Sequence, residues 1–532
     1  MRYFLSTLVS VGLLFAMLLL PLHIALSFFD FPGIFSIFLA LLLIVLFWWF
    51  SDPLYDYYFS KIYGTRWISI KELQENHYAL SIYLQDMLHK KGLKVRKLGI
   101  LEDDRPIPIT YGSSKGQIRL ILSSGIFHHL DEKEQQAVLA HELGHMHYGD
   151  FAVLTAAYVP ALISYDFARR LWRNPSKHHP FAAIGFVFYL LHLLLSIPVL
   201  LQSRIREYFA DEFASEIANP NSLGTALAKI SLAYISQGSR SKSDNLMEVG
   251  RPFAIIDFNM ARNIALTYLN RKETGSWILT ENIVLQDLYN PWPALFEIGT
   301  SHPLIGKRLL AICLKAERLH NTPFLDMQRM FAADIASSVL RINFLEDFLI
   351  YAIARFSPLL IAILLLLGHF HDKSVAIGVV ILLYGLGMAL LSLYSFSYVH
   401  FRSQTIKEQL EDEFASAIRG RPLILEGVIR EKSSLGLDSP EDLIFADHSG
   451  EIYIGPRSLL PLVISPFMSS NRLMKLKDKR VKVRGWYLRG KYPKLIIDEV
   501  DTDNSKINGR QRLFDLGLAS LIISAGLILI ML

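Results

Sequence analysis

Seven apolar stretches, each close to the length of a bilayer-crossing helix, constrain this chain more than any other feature. They run over about Phe4–Phe28, Pro32–Phe50, Phe151–Leu171, Phe181–Leu201, Phe348–Phe370, Ser374–Val399 and Phe514–Leu532. A helix rises 1.5 Å per residue, so about 20 apolar residues span a hydrocarbon core of ~30 Å. Composition agrees: 52% of the 532 residues are hydrophobic and 19% charged, with a mean hydropathy of +0.31. Such a chain reads as a mainly α, integral membrane protein with about 7 transmembrane helices, whose intervening segments are polar enough to fold in water.

The first stretch starts at Arg2 but is long, carries no convincing small-residue cleavage site and is followed at once by the second. The two therefore read as a helical hairpin and not as a signal peptide. The expected division is residues 1–50 as this hairpin, 51–347 as a catalytic domain with spans at 151–171 and 181–201, 348–400 as a second hairpin, 401–512 as a soluble β-rich domain and 513–532 as a last span. Placing Arg2 inside puts the polar segments, with most of the Lys and Arg, in the cytoplasm. The loop holding Arg169, Arg170, Arg173 and Lys177 then falls outside, against the positive-inside rule. The single cysteine, Cys313, excludes an intrachain disulfide framework and a Cys-rich metal site. A net charge of +5 is small for this length and gives no reason to expect nucleic acid; it suits basic loops beside anionic lipid.

Within the second polar region, the string VLAHELGHMHYGD contains His141-Glu142-Leu143-Gly144-His145. On a helix, residues i and i+4 point the same way, so both imidazoles can reach one tetrahedral Zn²⁺, with Glu142 as the general base for water activated there. The helix itself is well signalled, with Asp131 and Glu134 at capping-box spacing and Gly149 placed to end it. The site needs a third protein ligand. Glu207 in SRIREYFADEFA is the candidate, sharing a helix face with Asp211, which would orient a ligating imidazole. His145 precedes the third span by about as many residues as Glu207 follows the fourth, which puts them at matching depth, roughly 9 Å beyond the hydrocarbon edge. Pro198 is placed to kink the fourth span. Alternation from Ile107 to Tyr111, then SSKG, then Ile118 to Leu122 reads as a hairpin, and Ile107, Pro108, Ile109, Thr110 and Tyr111 are candidates for an edge strand that pairs with an extended substrate.

These pieces, in this order over about Met1–Leu314, resemble the M48 family of membrane zinc metallopeptidases, the group that includes HtpX and the CAAX prenyl proteases. LGTALAKI and SHPLIGKRLLAI extend the likeness downstream. The resemblance implies one zinc ion per chain held by His141, His145 and Glu207, Glu142 as base and Asp211 as the outer acid. It further implies that His302 hydrogen-bonds the developing oxyanion and that Arg308 holds the acidic cluster. The Asn-Ala-Phe element that HtpX-like members carry before the active helix is missing from PIPITYGSSKGQIRLILSSG, which affects the expected substrate contacts. Arg204 and Arg206 read as surface or structural ion-pair formers.

The last third changes character. RPLILEGVI, DLIFADHSGEIYIG, KRVKVRGWYLRG and PKLIIDEVD are short, β-rich and separated by turns, as in a small OB-like barrel. Nine Lys or Arg fall between Lys475 and Lys494, interleaved with Trp486, Tyr487 and Tyr492. The alternation Val481, Lys482, Val483, Arg484 describes a strand with a solvated basic face, beside lipid or a protein partner, better than a nucleic-acid groove. The expected function is a multi-pass cell-membrane endopeptidase with a cytoplasmic site, acting on membrane or misfolded proteins. The rivals are a processing protease of narrow specificity and a catalytically idle scaffold acting through its C-terminal domain.

Overall fold

The computed structural model describes residues 2–173, 180–236, 253–368, 372–398, 400–432, 442–456, 473–502 and 505–532. Lys177, expected in the basic loop, lies outside the described residues. The chain divides into two compact units, one of Met1–Ala261 with Phe296–Met327 and one of Arg262–Leu295 with Gln328–Leu532.

The first unit opens on two long apolar helices, Arg2–Ser27 and Gly33–Tyr57. Large apolar side chains such as Leu20 on the first and Trp49 on the second lie 63% and 71% exposed, an arrangement suited to lipid and costly in water. A four-stranded sheet follows, in the order β1 (Arg66–Ile68), β2 (Lys97–Leu101), β4 (Arg119–Ser123), β3 (Pro108–Tyr111). The expected β3–β4 hairpin forms, antiparallel and with Ile109 opposite Ile121. The end of the second helix latches this sheet. Arg119 lies 2.8 Å from Asp52 and 3.0 Å from Asp56, the Tyr111 hydroxyl donates to Asp56 at 2.8 Å, and the Trp48 indole donates to the Ser113 carbonyl at 3.0 Å.

Next come the helix Glu132–Tyr148, the span helix Phe151–Arg173 and the 38-residue helix Pro180–Ile217. The last bends by 48° between Ile197 and Gln202, the interval holding Pro198. The span Phe151–Leu171 has 67% of its apolar window buried, against 11% for the first two, so protein and not lipid surrounds most of it. Two cations of the basic loop are locally matched, since Arg169 and Arg170 both pair with Asp166, at 3.0 and 2.6 Å.

The second unit holds the apolar helices Ser337–Leu367, Lys373–Ser395 and Gln511–Met531. The latter two pack closely enough that a Cβ on Gly378 would lie 2.8 Å from the Gly526 carbonyl oxygen, the small-residue contact by which helices associate in lipid. Among the described residues six helices are long and apolar enough to cross a membrane, or seven if the bent pair counts as one span.

After a short strand, β5 (Arg402–Ser403), the barrel strands are β6 (Arg421–Lys432), β7 (Leu443–Ala446), β8 (Glu451–Gly455), β9 (Arg480–Arg489) and β10 (Pro493–Thr502), with β11 (Ser505–Asn508) added at the end of β10. They close into a five-membered ring. β6 pairs with β7 and β9, β7 with β8, β9 with β10, and β8 with β10 in parallel. Alternate residues, among them Leu423, Leu425, Val481, Val483 and Ile497, fill the interior. Leu279, from the helix Ile278–Tyr289, belongs to the same core, which is why Arg262–Leu295 groups with the barrel although it lies inside the expected 51–347 domain. Arg262 of this segment lies 3.4 Å from the buried Asp442, which Tyr492 and Lys494 also contact, at 2.7 and 2.6 Å.

Candidate metal centre

The helix Glu132–Tyr148 begins with a complete capping box. The Asp131 carboxylate accepts the Glu134 amide, and the Glu134 carboxylate accepts the Asp131 amide, each at 3.0 Å. It ends at Gly149, whose φ of 69° is the left-handed conformation glycine adopts without strain. Between these caps, His141 and His145 sit one turn apart with their Nε2 atoms 3.2 Å from each other. Glu207 faces both, with Oε2 3.3 Å from His141 Nε2 and Oε1 3.5 Å from His145 Nε2. One donor atom from each of the three lies within 4.8 Å of the others, an arrangement that could hold a metal ion. Close packing brings them together: a Cβ on Gly144 would stand 2.9 Å from the Ala210 Cα, so only glycine lets the two helices approach this far.

A second ring of charges surrounds the first. Asp211 Oδ1 lies 3.0 Å from His141 Nδ1, and Arg308, from the helix Ile305–Arg318, donates to both Asp211 oxygens at 2.8 Å. Arg308 also reaches to 3.5 Å from Glu207 and donates to the Ile255 carbonyl. On the other side, His145 Nδ1 hydrogen-bonds Asp150 Oδ2 at 3.1 Å, and Arg206 Nε stands 3.7 Å from Asp150 and 3.6 Å from Glu207. Sequence reasoning missed Asp150; Arg206, read as a surface or structural ion-pair former, is a buried one, set between Asp150 and Glu207. The signal for Asp150 was its place directly after the Gly149 turn, which swings the chain back toward His145.

All of this is deeply buried. His141, Glu142, His145, Glu207, His302 and Arg308 are each no more than 2% exposed. Both Glu207 oxygens and Glu142 Oε2 have no hydrogen-bond partner. Burial disfavours a charged His141, yet Asp211 and Glu207 outweigh it and raise its pKa to about 9. The carboxylates thus favour a cation at this spot.

His302 is brought to the cluster, with Nε2 3.8 Å from Glu207 Oε1. Burial pushes its pKa down to about 4, so the ring is neutral at pH 7 and carries one proton. Nε2 is bonded to the Ala254 carbonyl, and Nδ1 lies 2.8 Å from the Ser301 hydroxyl. The structure therefore engages both ring nitrogens within the protein. Phe253, next to Ala254, packs its ring against Tyr55 at 5.3 Å and Tyr158 at 6.5 Å. The strand β3, with Pro108, Ile109, Thr110 and Tyr111, is an edge strand by pairing order, and Ile107 just precedes it. All five are buried, and the neighbouring Gly112 amide donates to Thr155 at 3.3 Å.

Residues 78–314 match the family model described as "Peptidase family M48". A protein named "Protease HtpX homolog" from Methanothermobacter thermautotrophicus is 30% identical over 163 residues, covering 30% of this chain and 62% of the relative, less than two thirds of its length. Another of the same name from Aeropyrum pernix is 27% identical over 294 residues, covering 53% of this chain and 86% of the relative. A solved structure titled "Crystal Structure of S. mikatae Ste24p" aligns with 59% of this chain and 66% of its own at 15% identity, with a TM-score of 0.27 that does not establish a common fold. The matched stretch carries His141, His145, Glu207, Asp211, His302 and Arg308, so the residues of the candidate metal centre all fall within the part of the chain that is similar to peptidase family M48.

Proposed function

We propose that this protein is a multi-pass membrane zinc endopeptidase that hydrolyses peptide bonds of membrane or misfolded proteins from the cytoplasmic side. The observation carrying the proposal is the meeting of His141, His145 and Glu207 with both Glu207 oxygens buried and lacking hydrogen bonds. Three carboxylates, Asp150, Glu207 and Asp211, face two guanidiniums, Arg206 and Arg308. Without a metal the third positive charge is a protonated His141, whose pKa the carboxylates raise to about 9; a bound cation would take over that charge and free the imidazole as a ligand, so the buried carboxylates stay matched. Two imidazoles and a carboxylate with a carboxylic base alongside are a donor set suited to catalytic zinc.

His141, His145 and Glu207 would hold the ion, which supplies Lewis acidity and lowers the pKa of water. Glu142 accepts a proton from the attacking water and passes it to the leaving amine. Asp211 keeps His141 in the tautomer that offers Nε2, and Arg308 fixes Asp211. His302 stabilises the oxyanion only after Nε2 leaves the Ala254 carbonyl, so the Phe253–Asp257 segment has to yield as substrate enters. Movement there would also open the way to β3, where main-chain pairing binds a peptide with little sequence preference. The names of the relatives, "Protease HtpX homolog", support the same reading. The five-stranded ring with one parallel closure supports an OB-like reading of the barrel, whose expected partner is another protein or the lipid surface.

Glu142→Gln in the full-length protein tests the mechanism. It is expected to abolish cleavage of a denatured membrane protein while stoichiometric zinc is retained, and turnover in that variant would remove Glu142 from the role. Wild-type protein that leaves unrelated denatured substrates intact but cuts one peptide would favour the processing protease. Zinc bound without any hydrolysis would favour the idle scaffold.

A further inference from the structure

The metal cluster is supported from two sides, and the sides differ. At His141 the support is tight: Asp211 is gripped by Arg308 through two 2.8 Å hydrogen bonds. At His145 the order of groups is the same, imidazole Nδ1, carboxylate, guanidinium, but the last contact is loose. Asp150 accepts His145 at 3.1 Å, while Arg206 remains at 3.7 Å from Asp150 and 3.6 Å from Glu207. Arg206 is 1% exposed, its Nε and Nη1 have no hydrogen-bond partner, and neither does Asp150 Oδ1. This buried guanidinium is matched by charge, shared between the carboxylate behind His145 and the one that faces both imidazoles.

Resting on the zinc reading above, we propose that Asp150 and Arg206 are positioning residues for the metal site. Asp150 fixes the ring of His145 so that Nε2 faces Glu207, and Arg206 ties Asp150 to Glu207. Neither touches substrate; both act through ligands. An imidazole whose Nδ1 proton is held by a carboxylate is locked in orientation and made more basic, and losing such a partner costs about 10–100-fold in metal affinity or activity. Because Arg206 is adjacent to Glu207 in sequence and Asp150 closes the Gly149 turn, this arm couples two ligands on different helices. The Arg308 arm does the same for His141 and Glu207.

The test is zinc affinity of the full-length, detergent-solubilised protein by competition with a chromophoric chelator, for wild type, Asp150→Asn, Asp150→Ala and Arg206→Lys. Asp150→Ala is expected to weaken zinc binding by about 10–100-fold, and Asp150→Asn, whose amide oxygen still accepts the Nδ1 proton without the charge, by less. With zinc saturating, kcat should fall and KM stay unchanged, and the visible spectrum of cobalt-substituted Asp150→Ala should shift as His145 turns. If Asp150→Ala fails to fold, the near-isosteric Asp150→Asn and Arg206→Lys decide. Zinc affinity and cobalt spectrum equal to wild type in these variants, with only the melting temperature lowered, would overturn the proposal. Wild-type protein that binds zinc but hydrolyses nothing would overturn the enzymatic reading and leave this arm standing.

Discussion

Gly144 shows how much a single side chain, here an absent one, decides. It lies between the two zinc-ligand candidates in sequence, and in space it meets Ala210, three residues after Glu207 and one before Asp211. A methyl group there would collide with backbone, which cannot swing aside as a flexible side chain can. Gly144→Ala is therefore expected to force the two helices apart, at a cost of about 1–3 kcal/mol in stability. The same displacement carries Glu207 and Asp211 away from the imidazoles, so chelator competition should show weakened zinc binding along with the lower melting temperature. Unchanged affinity would mean that the helices absorb the methyl group elsewhere. The pattern H-E-x-x-H made His141, Glu142 and His145 legible, because an i, i+4 pair shares a helix face whatever the fold. Asp150 was not legible in that way: its bond to His145 passes through the reversal at Gly149, where helical periodicity no longer applies.

At the level of elements, the motif helix is defined by its caps, and the expected capping box at Asp131 and Glu134 is present. Lys229 adds to it, 2.5 Å from Glu134 and 3.3 Å from Asp131. Asp131→Ala removes one cap and should destabilise the protein by about 1 kcal/mol. Zinc affinity should be unaffected, since the cap lies ten residues, ~15 Å along the axis, from His141; a loss of affinity would show that the first turn helps set the ligand geometry. The strand β3 teaches the opposite lesson. Alternation and the SSKG turn correctly give the hairpin, but they say nothing about what covers the free edge. That edge is buried, and contacts of Phe253 and Ala254, more than 140 residues downstream, close the region around His302. Local patterns cannot report that a strand's free edge is enclosed by the rest of the fold.

Across the whole molecule, the division into units does not follow chain order. The helix Ile278–Tyr289 lies within the stretch matched by the peptidase family model, yet its Leu279 is 3% exposed in the core of the barrel unit. Leu279→Ala should cost that unit about 2–5 kcal/mol through lost burial and the cavity left behind. Hydrogen exchange should report it as lowered protection in β6 to β10, with zinc affinity preserved. Protection unchanged in the barrel would separate this helix from its core. The apolar helices were legible from length and composition alone, because the hydrocarbon thickness imposes a minimum run of apolar residues on any helix that crosses it. The third was legible as apolar but not as enclosed, since the same residues satisfy lipid and protein interior alike.

The sequence by itself determined the apolar helices, the caps of the motif helix, the hairpin, the alternating barrel strands and the two imidazoles with their neighbouring acid. Each is set by the spacing of nearby residues, which fixes the direction of a side chain relative to its own element. Only the tertiary structure decided that Glu207 faces both imidazoles, that Asp150 and Arg206 match Asp211 and Arg308 around them, that His302 is held by a backbone carbonyl, and that residues 262–295 belong with the barrel. Those outcomes depend on which elements pack together and how closely, and packing is a property of the whole chain that no local period encodes.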